Sequence, residues 1–236
     1  MATVDKAKLL LQGELKVTGR LVDASNATLY ATATLNAEEI VCIYKPIAGE
    51  RPLWDFADGS LAHREYAAYL VSEHLNFNCV PLTILRDGPY GFGMVQEWIN
   101  IDESIDLARF FSTDHPQLRS MALFDAIINN TDRKIGHLLP LNKDEVLGCD
   151  HGVTFHPEDK LRTVLWQWAD DAFTEEEISK LKAAEAALRS ELAGELAPYL
   201  TREEIEMSLK RVQTLLHDGK FPLPNPNWPA VPWPAF

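Results

Sequence analysis

Asn129-Asn130-Thr131-Asp132-Arg133-Lys134-Ile135-Gly136-His137, followed by Gly148-Cys149-Asp150-His151-Gly152, decides how the rest of the chain is read. An apolar helical run ends at Ile128, a polar loop then sets one acid beside two basic residues, and a short strand pair leads to a second acid in an Asp-x-Gly turn. Two separated carboxylates on loops suit phosphoryl transfer, where one orients the attacking hydroxyl and the other holds a metal that neutralises phosphate charge. Alone, the pair has little specificity. It gains weight if the upstream chain supplies a phosphate lysine, an acidic partner for that lysine and a hinge.

Upstream, three alternating, β-branched runs at roughly 14–22, 28–35 and 40–45 predict three antiparallel strands. The turn Asp23-Ala24-Ser25-Asn26-Ala27 between the first two offers backbone N–H groups and the hydroxyls of Ser25 and Thr28 to phosphates, although it has no glycine and also suits an ordinary hairpin. Val41-Cys42-Ile43-Tyr44-Lys45-Pro46 ends a strand on a lysine, because proline cannot continue the ladder. A helix over 61–75, with Ser60 as N-cap, carries Glu65 among Leu61, Ala62, Ala68 and Tyr69 at helical spacing. A carboxylate with apolar neighbours on every side needs a partner, and Lys45 is the candidate. A hairpin spans 81–85 and 90–99 across Arg86-Asp87-Gly88-Pro89. Its second strand leads into a helix-rich half and suits a hinge, with the backbone of Gln96, Glu97 and Trp98 on an adenine edge and Met94 and Ile99 lining the slot. A plain buried strand is the alternative.

Downstream, a helix begins near Asp102, and Asp114-His115-Pro116-Gln117 opens another with a cap, a first-turn proline and a capping-box glutamine. Thr174-x-x-Glu177 and Thr201-x-x-Glu204 are capping boxes for helices of about 174–192 and 201–217. The Pro/Trp-rich tail over 221–236 reads as an extended strap packed on the helical half, with a proline-recognising partner as the sharper alternative.

Hydrophobic residues at 46% and charged residues at 24% fit a folded domain, and Cys42, Cys79 and Cys149 have no CxxC spacing, so reduced thiols are expected. A net charge of −13 with no visible basic patch argues against nucleic acid as a partner, and the lack of a basic amphipathic segment argues against stable membrane association. A cytoplasmic monomer is expected.

The order Tyr44-Lys45-Pro46, Arg64-Glu65-Tyr66, Asn130-Thr131-Asp132-Arg133-x-x-x-His137 and Asp150-His151-Gly152-x-x-Phe155-x-Pro157 resembles the phosphatidylinositol 3- and 4-kinase-like branch of the protein-kinase-like fold. Type II phosphatidylinositol 4-kinases and the bacterial persistence-toxin Ser/Thr kinases share a similar pair of motifs. A small actinobacterial branch with an Asp-Arg-Lys-x-x-His loop is most similar. The resemblance implies an α+β, two-lobed protein-kinase-like fold with a small antiparallel β N-lobe, residues 1–98, and a mainly helical catalytic lobe, residues 99–236. It implies ATP with Mg²⁺ or Mn²⁺ as cofactor and an unidentified hydroxyl acceptor, whether protein, small molecule or lipid. Asp132, Arg133 and Lys134 would be catalytic, Arg133 by bracing the loop. Ser25, Asn26, Ala27, Thr28, Lys45, Glu65, Met94, Gln96, Glu97, Trp98 and Ile99 would bind ATP. His137 and Asp150 would hold the metal, His137 replacing an expected asparagine. A nucleotide-binding pseudokinase and an adenylyl transferase on the same fold are the alternatives, with a metallohydrolase built on His137, Asp150, His151 and His156 as a more distant one.

Overall fold

The computed structural model describes residues 5–21 and 26–236. Ser25 and the first part of the expected phosphate turn, with Val22, lie outside the described residues. Five antiparallel strands, β1 (Glu14–Arg20), β2 (Leu29–Leu35), β3 (Glu38–Pro46), β4 (Thr83–Gly88) and β5 (Gly91–Glu97), form one sheet in the order β1-β2-β3-β5-β4. A short helix α1 (Lys6–Gln12), absent from the sequence reading, puts Leu9 and Leu10 under this sheet. Asp5 caps it by accepting the Ala7 N–H.

One apolar cluster serves the sheet, with Leu10, Leu15, Ala31, Cys42, Tyr44 and Val95 at its centre. A second and larger one gathers α4 (Pro116–Ile128), α5 (Glu175–Leu188), α6 (Glu191–Leu196) and α7 (Arg202–Asp218). The helix between β3 and β4, α2 (Leu61–His74), falls within residues 1–98, yet its Ala67, Ala68, Val71 and Leu75 side join the helical core. The chain is therefore an antiparallel sheet packed through α2 onto a helical body, the α+β architecture of a kinase-like fold.

Local chemistry departs from expectation at several helix starts. Ser60 makes no cap bond; the Glu50 carboxylate takes the N–H groups of Leu61 and Ala62 instead. A carboxylate at a helix N-terminus satisfies orphan donors and the positive end of the dipole, so a distant glutamate replaces the local cap. His115, rather than Asp114, caps α4 through Nδ1, and Gln117 spends its side chain on the Val146 N–H. The helix expected near Asp102 is one turn, α3 (Leu107–Phe110). The run over 174–192 breaks at Arg189 and Ser190 into α5 and α6. The boxes at Thr174 and Thr201 are formed as expected.

α2 is fixed at its core face by charge as well as packing. Arg64 donates to the Glu204 carboxylate of α7 and, from Nη1, to the Thr154 carbonyl at 2.7 Å, with its guanidinium 4.8 Å above the Phe56 ring. Both partners of the pair are buried. Removing one charge strands the other in a low-dielectric interior, so Glu204→Gln is expected to cost about 3–5 kcal/mol of unfolding free energy. Denaturant unfolding checks this: the midpoint should fall at unchanged m-value, and the double substitution Arg64→Met with Glu204→Leu should recover much of the loss.

Candidate active site

The loop that opens the sequence reading is built from below. Asn129 ends α4 in the left-handed region at φ 52°, which an asparagine tolerates, and its side chain ties the loop to residues 156–160. Arg133 is completely buried beneath the loop. It grips Asp125 with Nε–Oδ2 at 2.9 Å and Nη2–Oδ1 at 2.8 Å, and reaches the Cys149 carbonyl at 3.1 Å and His151 Nε2 at 2.7 Å. A bidentate pair of this kind fixes direction as well as distance. Arg133 therefore braces the loop from the core and does not reach the cleft; the grouping with catalytic residues is corrected to a positioning one. A carboxylate at position 125, inside the buried stripe of α4, was the signal in the sequence that a buried cation had to meet it.

Above that brace the loop and the Asp-x-Gly turn are laced together. The Thr131 N–H and hydroxyl both donate to the Val153 carbonyl, at 3.0 and 2.8 Å. Strands β6 (Leu138–Pro140) and β7 (Val146–Gly148) carry the chain to Asp150, whose φ of 61° turns its carboxylate back towards the sheet. Lys45 Nζ lies 2.5 Å from Glu65 Oε1 and 2.9 Å from Asp150 Oδ1. The second Glu65 oxygen accepts the His151 N–H at 2.9 Å, and the Glu65 side chain is only 2% exposed. Burial works against the Lys45 charge, but Asp150 and Glu65 outweigh it and hold the ammonium above its ordinary range. Lys45 in turn holds the Asp150 carboxyl well below the usual carboxylate range.

Lys45 and Asp150 stand where two hollows meet. One, of about 300 Å³, is largely apolar and is lined by Leu21, Thr28, Ile43, Trp98, Ile99 and Leu139, with Gly136 and His137 at its inner end. The other, of about 410 Å³, holds Asp132 and Glu65 with Asn26, Arg51, Trp54 and Arg162. Thr28, Gln96, Glu97, Trp98 and Ile99 thus line the first hollow, and Asn26 and Ala27 the second. Met94 does not line the slot: it is fully buried at the level of Lys45, its partner across β3 and β5. The hinge donors are also displaced. The Glu97 N–H goes to the Leu82 carbonyl and that of Trp98 to Val41, because the sheet runs past the end of β5. Among the described residues the first unpartnered backbone N–H beyond them is that of Ile99. The Ala27 N–H, expected on a phosphate, is taken by the Gly49 carbonyl at 3.1 Å, and a Cβ on Gly49 would meet that of Ala27 at 2.4 Å.

Asp132 faces the larger hollow, 3.4 Å from both Lys134 Nζ and Arg162 Nη2. Burial pushes its carboxyl above the ordinary value, against the pull of those two cations. Arg162, Arg51 and Trp54 were missed in the sequence, where each is an isolated residue, and Trp228 was read only as part of the tail; the fold assembles them.

The metal-holding reading was tested against donor chemistry. His137 Nε2 is 3.4 Å from Asp150 Oδ2, and burial lowers its pKa to about 4, so the imidazole is neutral at pH 7. Nδ1 accepts the Lys134 N–H at 3.4 Å; a cation on Nε2 would ask the ring proton to move to Nδ1 at the expense of that one long bond. Among the described residues, no group of three or more His, Cys, Asp or Glu side chains is arranged around a metal position. A carboxylate and one neutral imidazole fit a cation that takes its other ligands from phosphate and water. The metallohydrolase set does not converge: His151 is sealed against Arg133, and His156 faces Lys160 at 3.2 Å.

No protein-family model matches the chain. Among solved structures, the golgi casein kinase superposes with a TM-score of 0.53 at 13% identity, covering 89% of this chain and 74% of that one. The Helicobacter pylori proinflammatory kinase CtkA covers 90% of this chain and 94% of its own, with a TM-score of 0.48 and 10% identity. In sequence, Protein Rv2133c of Mycobacterium tuberculosis (strain ATCC 25618 / H37Rv) is 41% identical over 98% of this chain and 96% of that protein. Identity at that level along nearly the whole of both chains makes this protein, with its protein-kinase-like fold, a member of the family of Mycobacterium tuberculosis Protein Rv2133c.

Proposed function

We propose that the protein is an ATP-dependent phosphotransferase of the phosphatidylinositol 3-/4-kinase-like type, moving the γ-phosphoryl group of ATP to a hydroxyl acceptor. The observation that carries the reading is the position of Lys45, ion-paired to both Glu65 and Asp150 at the junction of an apolar slot and a polar cleft.

In this reading the adenine lies in the apolar slot, with the Ile99 N–H as its backbone donor, and the phosphates run over Lys45 into the cleft. The acceptor oxygen attacks the γ-phosphorus as the bond from that phosphorus to the β,γ-bridging oxygen breaks, and ADP leaves with the electron pair. Asp132 accepts the acceptor's proton. Lys134 and Arg162, both beside Asp132, hold its carboxylate in place and face the charge that gathers on the phosphoryl oxygens. Asp150 with His137 would hold Mg²⁺ or Mn²⁺, which would supply neutralisation of phosphate charge. There is little covalent work for such a site to do, so positioning and charge carry the rate.

Incubation with labelled ATP, either metal and candidate acceptors tests the proposal: transfer to any hydroxyl supports it, whereas tight ATP binding without turnover under every metal leaves a pseudokinase. Lys45→Met should weaken ATP affinity at least tenfold, about 1.4 kcal/mol, measured by titration calorimetry. Asp132→Asn should leave that affinity unchanged and lower turnover by about 10²–10⁴-fold, the usual contribution of a positioned general base.

The raised pKa of Asp132 sets the direction of the pH response. The carboxylate is competent only when ionised, so turnover is lost as pH falls through a value above the ordinary aspartate range. The acid limb of kcat against pH should lie above that range in the wild-type protein and be missing from the residual activity of Asp132→Asn.

A further inference from the structure

We propose that residues 228–236 are a positioning strap for the candidate catalytic loop, setting the His137 turn opposite Asp150; the metal half of this proposal rests on the reading of those two residues given above. The strap is anchored at two points of backbone. The Ala230 carbonyl accepts from the Thr163 N–H at 3.0 Å and from Trp166 Nε1 at 2.8 Å. Further on, the Ala235 carbonyl accepts the Ile135 N–H at 2.9 Å. Thr163 and Ile135 belong to the two stretches that flank Asp132, which are themselves joined where the Arg133 N–H meets the Arg162 carbonyl at 3.1 Å and the Val164 N–H meets the Arg133 carbonyl at 3.1 Å. The strap therefore contacts both stretches, which are also joined directly to each other.

Its far end sits under the metal-holding turn. Ile135 opens the single 3-10 turn Ile135–His137, and its N–H is one of the donors such a turn cannot satisfy internally. Ala235 supplies the acceptor. The Phe236 ring lies against Gly136, close enough that a Cβ there would be 3.8 Å from the ring. Gly136 and His137 line the apolar slot on the other side. At its near end the Trp228 ring faces Lys160 at 5.1 Å and Arg162 at 5.9 Å and lines the polar cleft.

Burial accounts for only part of this segment. Trp233 is 92% exposed, Phe236 63% and Val231 43%, while Pro232 is buried, Trp228 is half-buried and Ala235 packs on the helical core. What the segment does supply is acceptors aimed at loop amides, with prolines that limit the conformations it can otherwise take.

The experiment compares the full chain, a variant ending at Trp228, Phe236→Ala and Phe236→Leu. Hydrogen exchange at the Ile135–His137 amides is read alongside calorimetric affinity for ATP with Mn²⁺ and for ATP with chelator. The strap predicts faster exchange at those amides in the shortened chain and in Phe236→Ala, and recovery in Phe236→Leu. It predicts affinity for ATP with Mn²⁺ reduced by roughly tenfold, as for loss of support behind a metal ligand. Affinity for metal-free ATP should fall less, because Gly136 and His137 then only wall the slot and hold no cation. If the shortened chain does not fold, Phe236→Ala carries the same comparison. Unchanged exchange at 135–137, or equal loss of both affinities with a lowered unfolding temperature, would overturn the proposal. A full chain that binds no ATP with Mn²⁺ defeats the metal reading alone, because the exchange comparison still decides whether the strap holds the turn.

Discussion

The Lys45 ammonium between two carboxylates is the interaction on which the remaining structure depends. Each of its three members arrives on a different element: the end of β3, the first turns of α2 and the left-handed turn after β7. Taking Glu65 and Lys45 out of water costs several kcal/mol per ion, so neither can be left unpaired, whereas the Asp150 side chain is 47% exposed. Lys45 answers one oxygen of each acid, the His151 N–H answers the other Glu65 oxygen, and His137 stands at the other oxygen of Asp150. One cation faces two carboxylates, an imbalance that the divalent cation of the proposed reading would offset.

That triad was partly legible in the sequence. Glu65 announced itself because all of its helical neighbours are apolar, and Lys45 because a proline ends its strand. The capping boxes at Thr174 and Thr201 are local and were read correctly for the same reason. What was not legible is non-local. Glu50 caps a helix that begins at Leu61 only because the intervening loop folds back, and Gln117 leaves its own helix to meet Val146. The amides of Glu97 and Trp98 are claimed by the Leu82 carbonyl, just before β4, and by the Val41 carbonyl of β3, which leaves Ile99 as the first free backbone N–H beyond them among the described residues. Sequence periodicity says that a strand is present but not at which residue its partners run out.

Charge shows the same division. At −13 overall the chain offers no basic patch along its sequence, yet the fold gathers Lys134 and Arg162 around Asp132 and places Arg51 in the same cleft. The cleft itself is mixed in charge, with Lys45, Arg51 and Arg162 set among Glu50, Asp55, Glu65, Asp132 and Asp150, so its cations act locally rather than as a basic surface. No helix among the described residues is long and apolar enough to cross a membrane.

The Arg64–Glu204 lock gives α2 a character beyond stability. Arg64 and Glu65 are consecutive, so the helix that presents the glutamate to Lys45 is fastened to α7 by the residue beside it. A helix held this way has no off position: swinging Glu65 away would tear a buried ion pair from the body of the protein. Any displacement of Glu65 from Lys45 is thereby coupled to the seating of α2 on α7.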